Sequence, residues 1–239
     1  MRILDGEGVK KNFGGLAAVA NVDFCINQGE IVGLIGPNGA GKTTIFNLIS
    51  GALVPTSGQI RFNGKNITGL KPHQICKRGV ARTFQSAKLF ADMTVINNVL
   101  VWSLFGKSTS IPLADAEMEA REALAFVGLS EKEGLPAKDL TIAAQKRLEI
   151  ARALATKPQV LLLDEVMAGL NPTEVTQAIE LIKEIWNKGI SVFMIEHVMK
   201  AVMGMADRII VLHHGEKIAE GTPEAIAENR KVVEVYLGE

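Results

Sequence analysis

Nine consecutive residues near the N-terminus combine glycines, one lysine and two threonines at the spacing G-x-x-x-x-G-K-[ST]. They are Gly36, Pro37, Asn38, Gly39, Ala40, Gly41, Lys42, Thr43 and Thr44. Backbone N–H groups of such a loop can point at phosphate oxygens, and a following helix adds the positive end of its dipole. Lys42 could then reach the β- and γ-phosphates while the Thr43 hydroxyl binds Mg²⁺. The loop therefore predicts binding of a nucleoside triphosphate together with Mg²⁺.

Acidic and imidazole side chains follow two later apolar runs of the chain. Asp164 and Glu165 come directly after residues 160–163, and His197 lies two positions after residues 190–195. The ends of parallel strands meet at the sheet edge where α/β proteins bind ligands. We therefore expect Asp164 to help hold Mg²⁺ and Glu165 to orient and polarise an attacking water. The alternative for Asp164 and Glu165 is a pair of acids that is merely exposed at a strand end. For His197, a structural role and a hydrogen bond to the γ-phosphate are equally compatible with the spacing.

The patterns around these residues predict a parallel α/β core with an antiparallel beginning. Residues 1–35 alternate apolar and polar positions between turn residues, which is typical of antiparallel strands. Residues 30–35 read as a strand before the glycine-rich loop and residues 44–49 as a helix after it. Further strands are expected at 57–64, 80–85, 159–165 and 190–195. Further helices are expected after the cap Thr94 and through residue 101, at 115–127 and at 145–156. Another helix is expected from residue 171, where Asn171 is the N-cap, Pro172 the first helical residue and Glu174 the N3 residue.

Residues 86–147 differ from the sequence on either side because they are rich in strong helix formers. We therefore expect one domain in which residues 1–85 and 148–239 form a nucleotide-binding core that includes an N-terminal antiparallel β subdomain. Residues 86–147 would form a helical subdomain inserted into it. Phe13, just before Gly14 and Gly15, is a candidate for stacking on a nucleotide base, and a half-buried strand aromatic is the alternative.

Composition limits the classes of function. The 239 residues include 47% hydrophobic residues, and 26 basic side chains balance 26 acidic ones, so the net charge is zero. Without a basic block, nucleic acid is not an expected partner. Cys25 and Cys76 lack metal-ligand spacing and are expected to be reduced structural thiols. No apolar run approaches about 18 residues and the first residues lack a signal-peptide pattern, so a cytoplasmic protein is expected.

The phosphate loop, Gln85, the Asp164-Glu165 pair and His197, in this order, resemble the ATP-binding subunits of ATP-binding cassette (ABC) transporters over nearly the whole chain. The resemblance implies an α/β P-loop NTPase (RecA-like) core with ATP and Mg²⁺ as ligands. It implies that Phe13 stacks on adenine, that Gln85 links Mg²⁺ and water to the membrane subunits, and that Glu165 is the catalytic base. His197 would contact the γ-phosphate. Two such subunits would close around ATP and drive the transmembrane permease subunits.

Four segments narrow the resemblance to the ATPases of branched-chain amino-acid importers, and to the longer of the two ATPases that these importers usually pair. They are Arg82–Gln85, Met93–Val99, Ile195–Lys200 and Val235–Glu239. This resemblance implies transmembrane permease subunits and a second ABC ATPase as partners, and a periplasmic or extracellular binding protein indirectly. The chain would be peripheral on the inner face of the cell membrane.

One segment departs from the family pattern. The signature L-S-G-G-Q, which faces the ATP of the partner subunit, falls on Leu140, Thr141, Ile142, Ala143 and Ala144. Ala143 places a Cβ where backbone N–H groups should approach a phosphate, and Ala144 removes an amide donor. The alternative function is therefore a mainly regulatory nucleotide-binding subunit in an asymmetric pair with one slow site. Backbone donors at a helix N-terminus could equally keep the segment active.

Overall fold

The computed structural model describes residues 1–84 and 88–237 and contains two β-sheets with helices packed on them. The strands are β1 (Arg2–Phe13), β2 (Leu16–Asn27), β3 (Ile31–Ile35), β4 (Ser57–Phe62), β5 (Lys65–Asn66), β6 (Val80–Arg82), β7 (Val160–Asp164), β8 (Ser191–Ile195), β9 (Arg208–His213) and β10 (Glu216–Gly221). The α-helices are α1 (Lys42–Ile49), α2 (Pro72–Cys76), α3 (Val95–Phe105), α4 (Leu113–Phe126), α5 (Ile142–Leu154), α6 (Pro172–Asn187), α7 (Met199–Met205), α8 (Pro223–Ala227) and α9 (Arg230–Leu237).

The larger sheet has the strand order β10-β9-β3-β8-β7-β6. Strands β9, β3, β8, β7 and β6 are parallel, and β10 joins the edge antiparallel to β9. The smaller sheet, in the order β2-β1-β4-β5, is antiparallel throughout. The predicted α/β core with an antiparallel β subdomain is confirmed.

The parallel strands are buried on both faces, so their side chains alternate between two apolar clusters. In β3, Ile31 and Ile35 belong to one cluster, whereas Val32 and Leu34 belong to the other. Strands β7, β8 and β9 alternate in the same way, which explains why they read as continuous apolar runs. The first cluster continues into α3, α4 and α5, and the second into β1, β2, β4 and α1. The sheet thus joins a helical layer to the antiparallel β subdomain.

Register places the ends of β7 and β8 side by side. Asp164, the last residue of β7, pairs with Ile195, the last residue of β8. The backbone N–H of Glu165 then donates to the carbonyl oxygen of Ile195 at 2.9 Å. The segments that carry Glu165 and His197 therefore leave the sheet at one edge, as the sequence predicts.

Several predicted element boundaries are wrong. Helix α5 was expected at 145–156 but begins at Ile142, because Thr141 caps it by accepting the N–H of Ala144. Strand β6 was expected to reach residue 85 but ends at Arg82. Helix α3 begins after the predicted cap Thr94 but continues one turn beyond residue 101. The division into a core of residues 1–85 and 148–239 and a helical subdomain of residues 86–147 stays a prediction, and its boundary between 147 and 148 lies within α5.

Candidate functional site

The glycine-rich loop lies between β3 and α1, and its backbone requires glycine at two positions. Gly36 has a φ of 149°, and a Cβ built there would lie 2.1 Å from the backbone oxygen of Leu212. Gly41 has a φ of 102°, and a Cβ there would lie 2.5 Å from the backbone oxygen of Ala18. No side chain fits at such distances or takes these φ values without strain. These glycines therefore let β9 and β2 pack directly against the loop.

The side chain of Lys42 points back into the loop. Its ammonium donates to the carbonyl oxygen of Gly36 at 2.7 Å and to that of Pro37 at 3.0 Å. Burial lowers the pKa of Lys42, and the negative charges of Glu165 and Asp164 oppose this shift. The positive charge is therefore held at the centre of the loop, within the field of two acids.

The remaining loop residues divide into exposed and anchored positions. Asn38, Gly39 and Thr43 are exposed and Thr44 is half-buried, so polar groups of these residues face the space above the loop. Ala40 is buried, and its carbonyl oxygen accepts the N–H of Gly215 at 3.1 Å.

The turn between β9 and β10 is part of this anchoring. The carbonyl oxygen of Gly215 accepts the N–H of Ala20 from β2 at 2.8 Å, while its N–H holds Ala40. His213 ends β9 and His214 follows with a φ of 47°, so both lie at the junction between the strand and the turn. Sequence reasoning missed the contact of this turn with the phosphate loop.

Phe13 ends β1, directly before the Gly14-Gly15 turn. Its side chain is 47% exposed, and the ammonium of Lys11 lies 5.2 Å from the centre of its ring. β2, which follows the turn, touches the phosphate loop at Gly41. An exposed ring on this hairpin is therefore available to a ligand bound above the loop.

Asp164 lies at the end of β7 and is 1% exposed. One carboxylate oxygen accepts from the guanidinium of Arg82 at 2.7 Å, and the backbone N–H of Asp164 donates to the hydroxyl of Thr83. Arg82 also donates to Asn47 and Ser50 of α1 and its cap, at 2.7 Å and 3.0 Å. The other oxygen of Asp164, Oδ1, is buried without a hydrogen-bond partner among the described residues.

Glu165 and His197 are brought into direct contact. The Nε2 atom of His197 lies 2.9 Å from Oε1 of Glu165. Glu165 has a φ of 51°, a left-handed conformation that is uncommon for a residue with a side chain and is concentrated at functional sites. The side chain of Glu165 is 13% exposed and that of His197 is 47% exposed. The acid is therefore sheltered while the imidazole remains accessible from outside.

Beside this pair lies a buried carboxyl group that sequence reasoning missed. Glu196 is 2% exposed, and its Oε1 accepts the backbone N–H of Met167 at 3.0 Å. Burial raises the pKa of Glu196 to about 7, and the nearby charge of Glu165 acts in the same direction. Lys146 of α5 is also buried and donates to the carbonyl oxygen of Glu165 at 3.4 Å. The position of Glu196 next to His197 was the available signal, but its burial is a tertiary property.

The signature segment 140–144 lies away from these contacts, at the N-terminus of α5. Leu140 is buried, whereas Ile142 is 60% exposed. The hydroxyl of Thr141 accepts the N–H of Ala144 at 3.3 Å, so one of the helix's N-terminal donors is used within the segment. Ala143 is half-buried in the first turn, and the N–H groups at this end remain directed outward along the helix axis.

The predicted metal ligands are only partly described. Gln85 lies outside the described residues. In residues 1–84 and 88–237, no three His, Cys, Asp or Glu side chains cluster so as to hold a metal ion by themselves. The unsatisfied Oδ1 of Asp164 nevertheless suits a hard cation that draws its other ligands from Thr43, water and phosphate. The same described stretches contain no helix long and apolar enough to span a membrane.

Comparison with known proteins identifies the family. Residues 19–168 match the family model described as ABC transporter. The chain belongs to this ABC transporter ATP-binding family. It is therefore an ATP-binding subunit of the kind that hydrolyses ATP for transport. Its C-terminal residues 216–239 match a second model, described as branched-chain amino acid ATP-binding cassette transporter.

Individual relatives are similar over nearly the whole length of this ABC ATPase. The "high-affinity branched-chain amino acid transport ATP-binding protein LivG" of Escherichia coli K12 is 45% identical, with 99% of this chain and 98% of that protein covered. The corresponding protein BraF of Pseudomonas aeruginosa is 42% identical, with the same coverage. The crystal structure of the ADP conformation of MJ1267, an ATP-binding cassette of an ABC transporter, superposes with a TM-score of 0.91 at 33% identity and covers all of both chains.

Proposed function

We propose that this chain is the ATP-hydrolysing subunit of an importer for branched-chain or other hydrophobic amino acids. One observation supports the proposed reaction: Glu165 contacts His197 at the sheet edge and interacts electrostatically with Lys42. The substrate class is supported by the C-terminal match and by the names of LivG and BraF.

In the proposed ATP complex, the ammonium of Lys42 exchanges the carbonyl oxygens of Gly36 and Pro37 for oxygens of the β- and γ-phosphates. Exposed Asn38 and Gly39 lie where they can add backbone N–H groups. Thr43, Asp164 and Gln85 would hold Mg²⁺, which when bound neutralises charge on the phosphates. Phe13 would stack on the adenine ring.

Glu165 is placed to orient the attacking water and accept its proton. The water oxygen bonds to the γ-phosphorus, the bond from this phosphorus to the bridging oxygen of ADP breaks, and the proton passes to the carboxylate. His197 holds Glu165 through Nε2 and is itself 47% exposed, so it can turn toward the γ-phosphate. Lys42 stabilises the charge that develops on the transferred group.

The proposed assembly contains transmembrane permease subunits and a second ABC ATPase, at the inner face of the cell membrane. Segment 140–144 would face the ATP of the second ATPase, consistent with its exposed Ile142. Residues 86–147 would contact the permease subunits, and Phe105, Leu113 and Met118 of this region are exposed apolar side chains. A periplasmic or extracellular binding protein would act through the permeases.

A mainly regulatory subunit in an asymmetric pair is the alternative, and the comparisons do not favour it. The relatives that match nearly the full length are named as transport ATP-binding proteins. In addition, Lys42, Asp164, Glu165 and His197 are assembled within this chain.

Steady-state hydrolysis of Mg²⁺-ATP across a series of protein concentrations tests the reaction. We expect turnover per chain to rise with concentration, because each ATP needs a second subunit, and to be abolished in Glu165→Gln. Activity that the mutant retains would come from a contaminant. ATP binding without turnover at any concentration would mean that a different ATPase with another signature is required.

A test of the substrate class requires the complete transporter. Proteoliposomes that contain this chain, its permease subunits and the binding protein should accumulate labelled leucine, isoleucine or valine when ATP is inside. Lysine and glutamate serve as polar controls. Intact ATP turnover with accumulation of none of the apolar amino acids would overturn the substrate proposal and leave the ATPase assignment standing.

A further inference from the structure

Two consecutive residues after strand β8 hold two positions of one turn. His197 contacts the carboxylate of Glu165 through Nε2 at 2.9 Å, and Oε1 of Glu196 accepts the backbone N–H of Met167 at 3.0 Å. Glu165 and Met167 lie in the turn that follows β7, the strand that pairs with β8. The segment after β8 therefore holds both ends of the turn 165–167.

This turn has a backbone conformation that needs support. Glu165 has a φ of 51°, and a residue with a side chain keeps such a conformation only where neighbouring contacts determine it. Its N–H donates to the carbonyl oxygen of Ile195 at 2.9 Å, and its carbonyl oxygen accepts the N–H of Ala168 at 3.2 Å. Both bonds act on residue 165 itself. The bond from Met167 to Glu196 fixes the turn two residues further on.

The hydrogen bond between Met167 and Glu196 is buried at both ends. Glu196 is 2% exposed and Met167 is 1% exposed, and the side chain of Met167 belongs to the core cluster that continues into α3, α4 and α5. Water therefore cannot easily replace the carboxyl oxygen. If that oxygen is removed, the N–H of Met167 loses its acceptor inside the protein, and the turn must shift to find another one.

We propose that Glu196 is a positioning residue for ATP hydrolysis, whose carboxyl oxygen holds the turn 165–167 through the N–H of Met167 and thereby orients the carboxylate of Glu165. When His197 turns toward the γ-phosphate it leaves Glu165, and the bond of Glu196 to Met167 then keeps the turn in place. In this role Glu196 acts through Glu165 and not on the nucleotide. The inference rests on the proposed role of Glu165 as the base.

Two substitutions of Glu196 separate the hydrogen bond from the size of the side chain. Glu196→Leu removes the acceptor, and we expect kcat of the complete transporter to fall about tenfold to 100-fold, the effect of a misplaced catalytic group. The KM for ATP should stay within about twofold, because Lys42 and the phosphate loop are unchanged. Glu196→Gln keeps an oxygen that can accept the N–H, so it should recover kcat to within about threefold of the parent.

The matched control is Ser191→Ala, at the start of the same strand. Ser191 is fully buried, and its hydroxyl accepts the backbone N–H of Gly29 at 2.9 Å. This variant therefore also loses a hydrogen bond between a buried side chain and a backbone N–H, but far from the turn. Its Tm should fall while its kcat stays within about twofold of the parent. Equal losses of kcat in Ser191→Ala and Glu196→Leu would overturn the proposal, since general destabilisation would then explain both.

Hydrogen exchange of the Met167 amide tests the same contact without turnover. The sequence contains eight methionines, so ¹⁵N-methionine labelling gives few resonances, and Met167→Leu assigns the one from Met167. We expect this N–H to exchange at least about tenfold faster in Glu196→Leu than in the parent or in Ser191→Ala. Unchanged exchange, or a kcat of Glu196→Leu within about twofold of the parent, would overturn the proposal.

Failure of the proposed reaction gives a different result. Turnover that is absent from the parent transporter, or retained in Glu165→Gln, would count against the proposed function. The exchange rate of the Met167 amide would still decide for or against the contact with Glu196, because it does not depend on hydrolysis.

Discussion

The sheet edge that carries Lys42, Asp164, Glu165 and His197 offers side-chain groups to a ligand, whereas the signature segment 140–144 offers backbone N–H groups. At the edge, function depends on side chains that are already held: Lys42 by two carbonyl groups and Glu165 by His197. In the signature segment, side chains offer little, and the polar groups that face outward are the N–H groups at the start of α5. Substitutions should therefore damage the edge severely and change the signature segment only slightly.

The largest effect is expected from Glu165→Gln. Removal of a general base typically slows a reaction by about 10²- to 10⁴-fold, and the amide keeps the size of the side chain. ATP binding should persist because Lys42 and the loop are unchanged. Turnover and nucleotide affinity, measured on the same preparation, check this. The matched control Glu131→Gln changes an exposed carboxylate in the helical layer and should leave both values unaltered.

The stability of this sheet edge also depends on the buried ion pair between Arg82 and Asp164, which Arg82→Met tests. The side chains of Arg82 and Asp164 are 6% and 1% exposed, and removing one partner of a buried pair costs about 3 kcal/mol. For a chain of this length we expect the Tm to fall by roughly 6–12 °C.

The comparison for this prediction is an exposed arginine. Arg121 pairs with Glu117 and Glu133 on the surface of α4, and Arg121→Met should change stability by less than about 1 kcal/mol. Thermal unfolding of both variants measures the difference. Equal shifts in Tm would show that the Arg82–Asp164 pair is not what stabilises the edge.

Glu196 should make the free energy of unfolding depend on pH. Its pKa is about 7 in the folded chain, mainly because of burial, against 4.5 as the reference value. Between these values the folded chain holds a proton that the unfolded chain has lost. The free energy of unfolding should therefore fall as the pH rises through this window and level off above it, by on the order of 3 kcal/mol in total.

Glu196→Gln removes this titration while keeping an oxygen that can accept the N–H of Met167. Urea unfolding at several values between about pH 5 and pH 8 should show a flatter profile for the variant than for the parent. Parallel profiles would mean that Glu196 does not carry the dependence.

The smallest effect is expected in the signature segment. Ala143→Gly removes one Cβ near the start of α5 but adds no donor, because the backbone N–H is present in both residues. We expect turnover of the dimer to change by less than about fivefold, the factor that corresponds to a glycine penalty of up to 1 kcal/mol in the helix. A tenfold gain in steady-state turnover would instead support the alternative function, an asymmetric pair of ATPases with one slow site.

Local signals were sufficient for much of this architecture. The glycine-rich loop predicted its own strand and helix, and Asn171, Pro172 and Glu174 predicted the capping box that begins α6. The start of α5 was predicted three residues late, at Gln145, although a threonine before a helical run is also an N-cap. Helix α9 was missed because eight residues at the end of a chain give a weak periodic pattern.

Contacts between distant parts of the chain were beyond such signals. Glu196 reads as one acid in a polar loop, and its shifted pKa arises only when Met167 and the sheet close over it. The N–H of Gly215 meets the carbonyl oxygen of Ala40 across most of the sequence, and no spacing rule connects them. The roles proposed for Phe13 and for the signature segment remain predictions, since they concern a ligand and a second subunit.

The carbonyl groups that hold Lys42 have a consequence for selectivity among anions. Before any ligand arrives, two of the three donors of its ammonium are already used within the loop. An incoming anion must therefore compete with these acceptors and supply oxygens in matching number and position. A chain of linked phosphates can do so, because its binding elsewhere in the loop raises the local concentration of the competing oxygens. Free inorganic phosphate lacks this advantage, so the hydrogen bonds of Lys42 to the two carbonyl groups should weaken phosphate binding more than nucleotide binding.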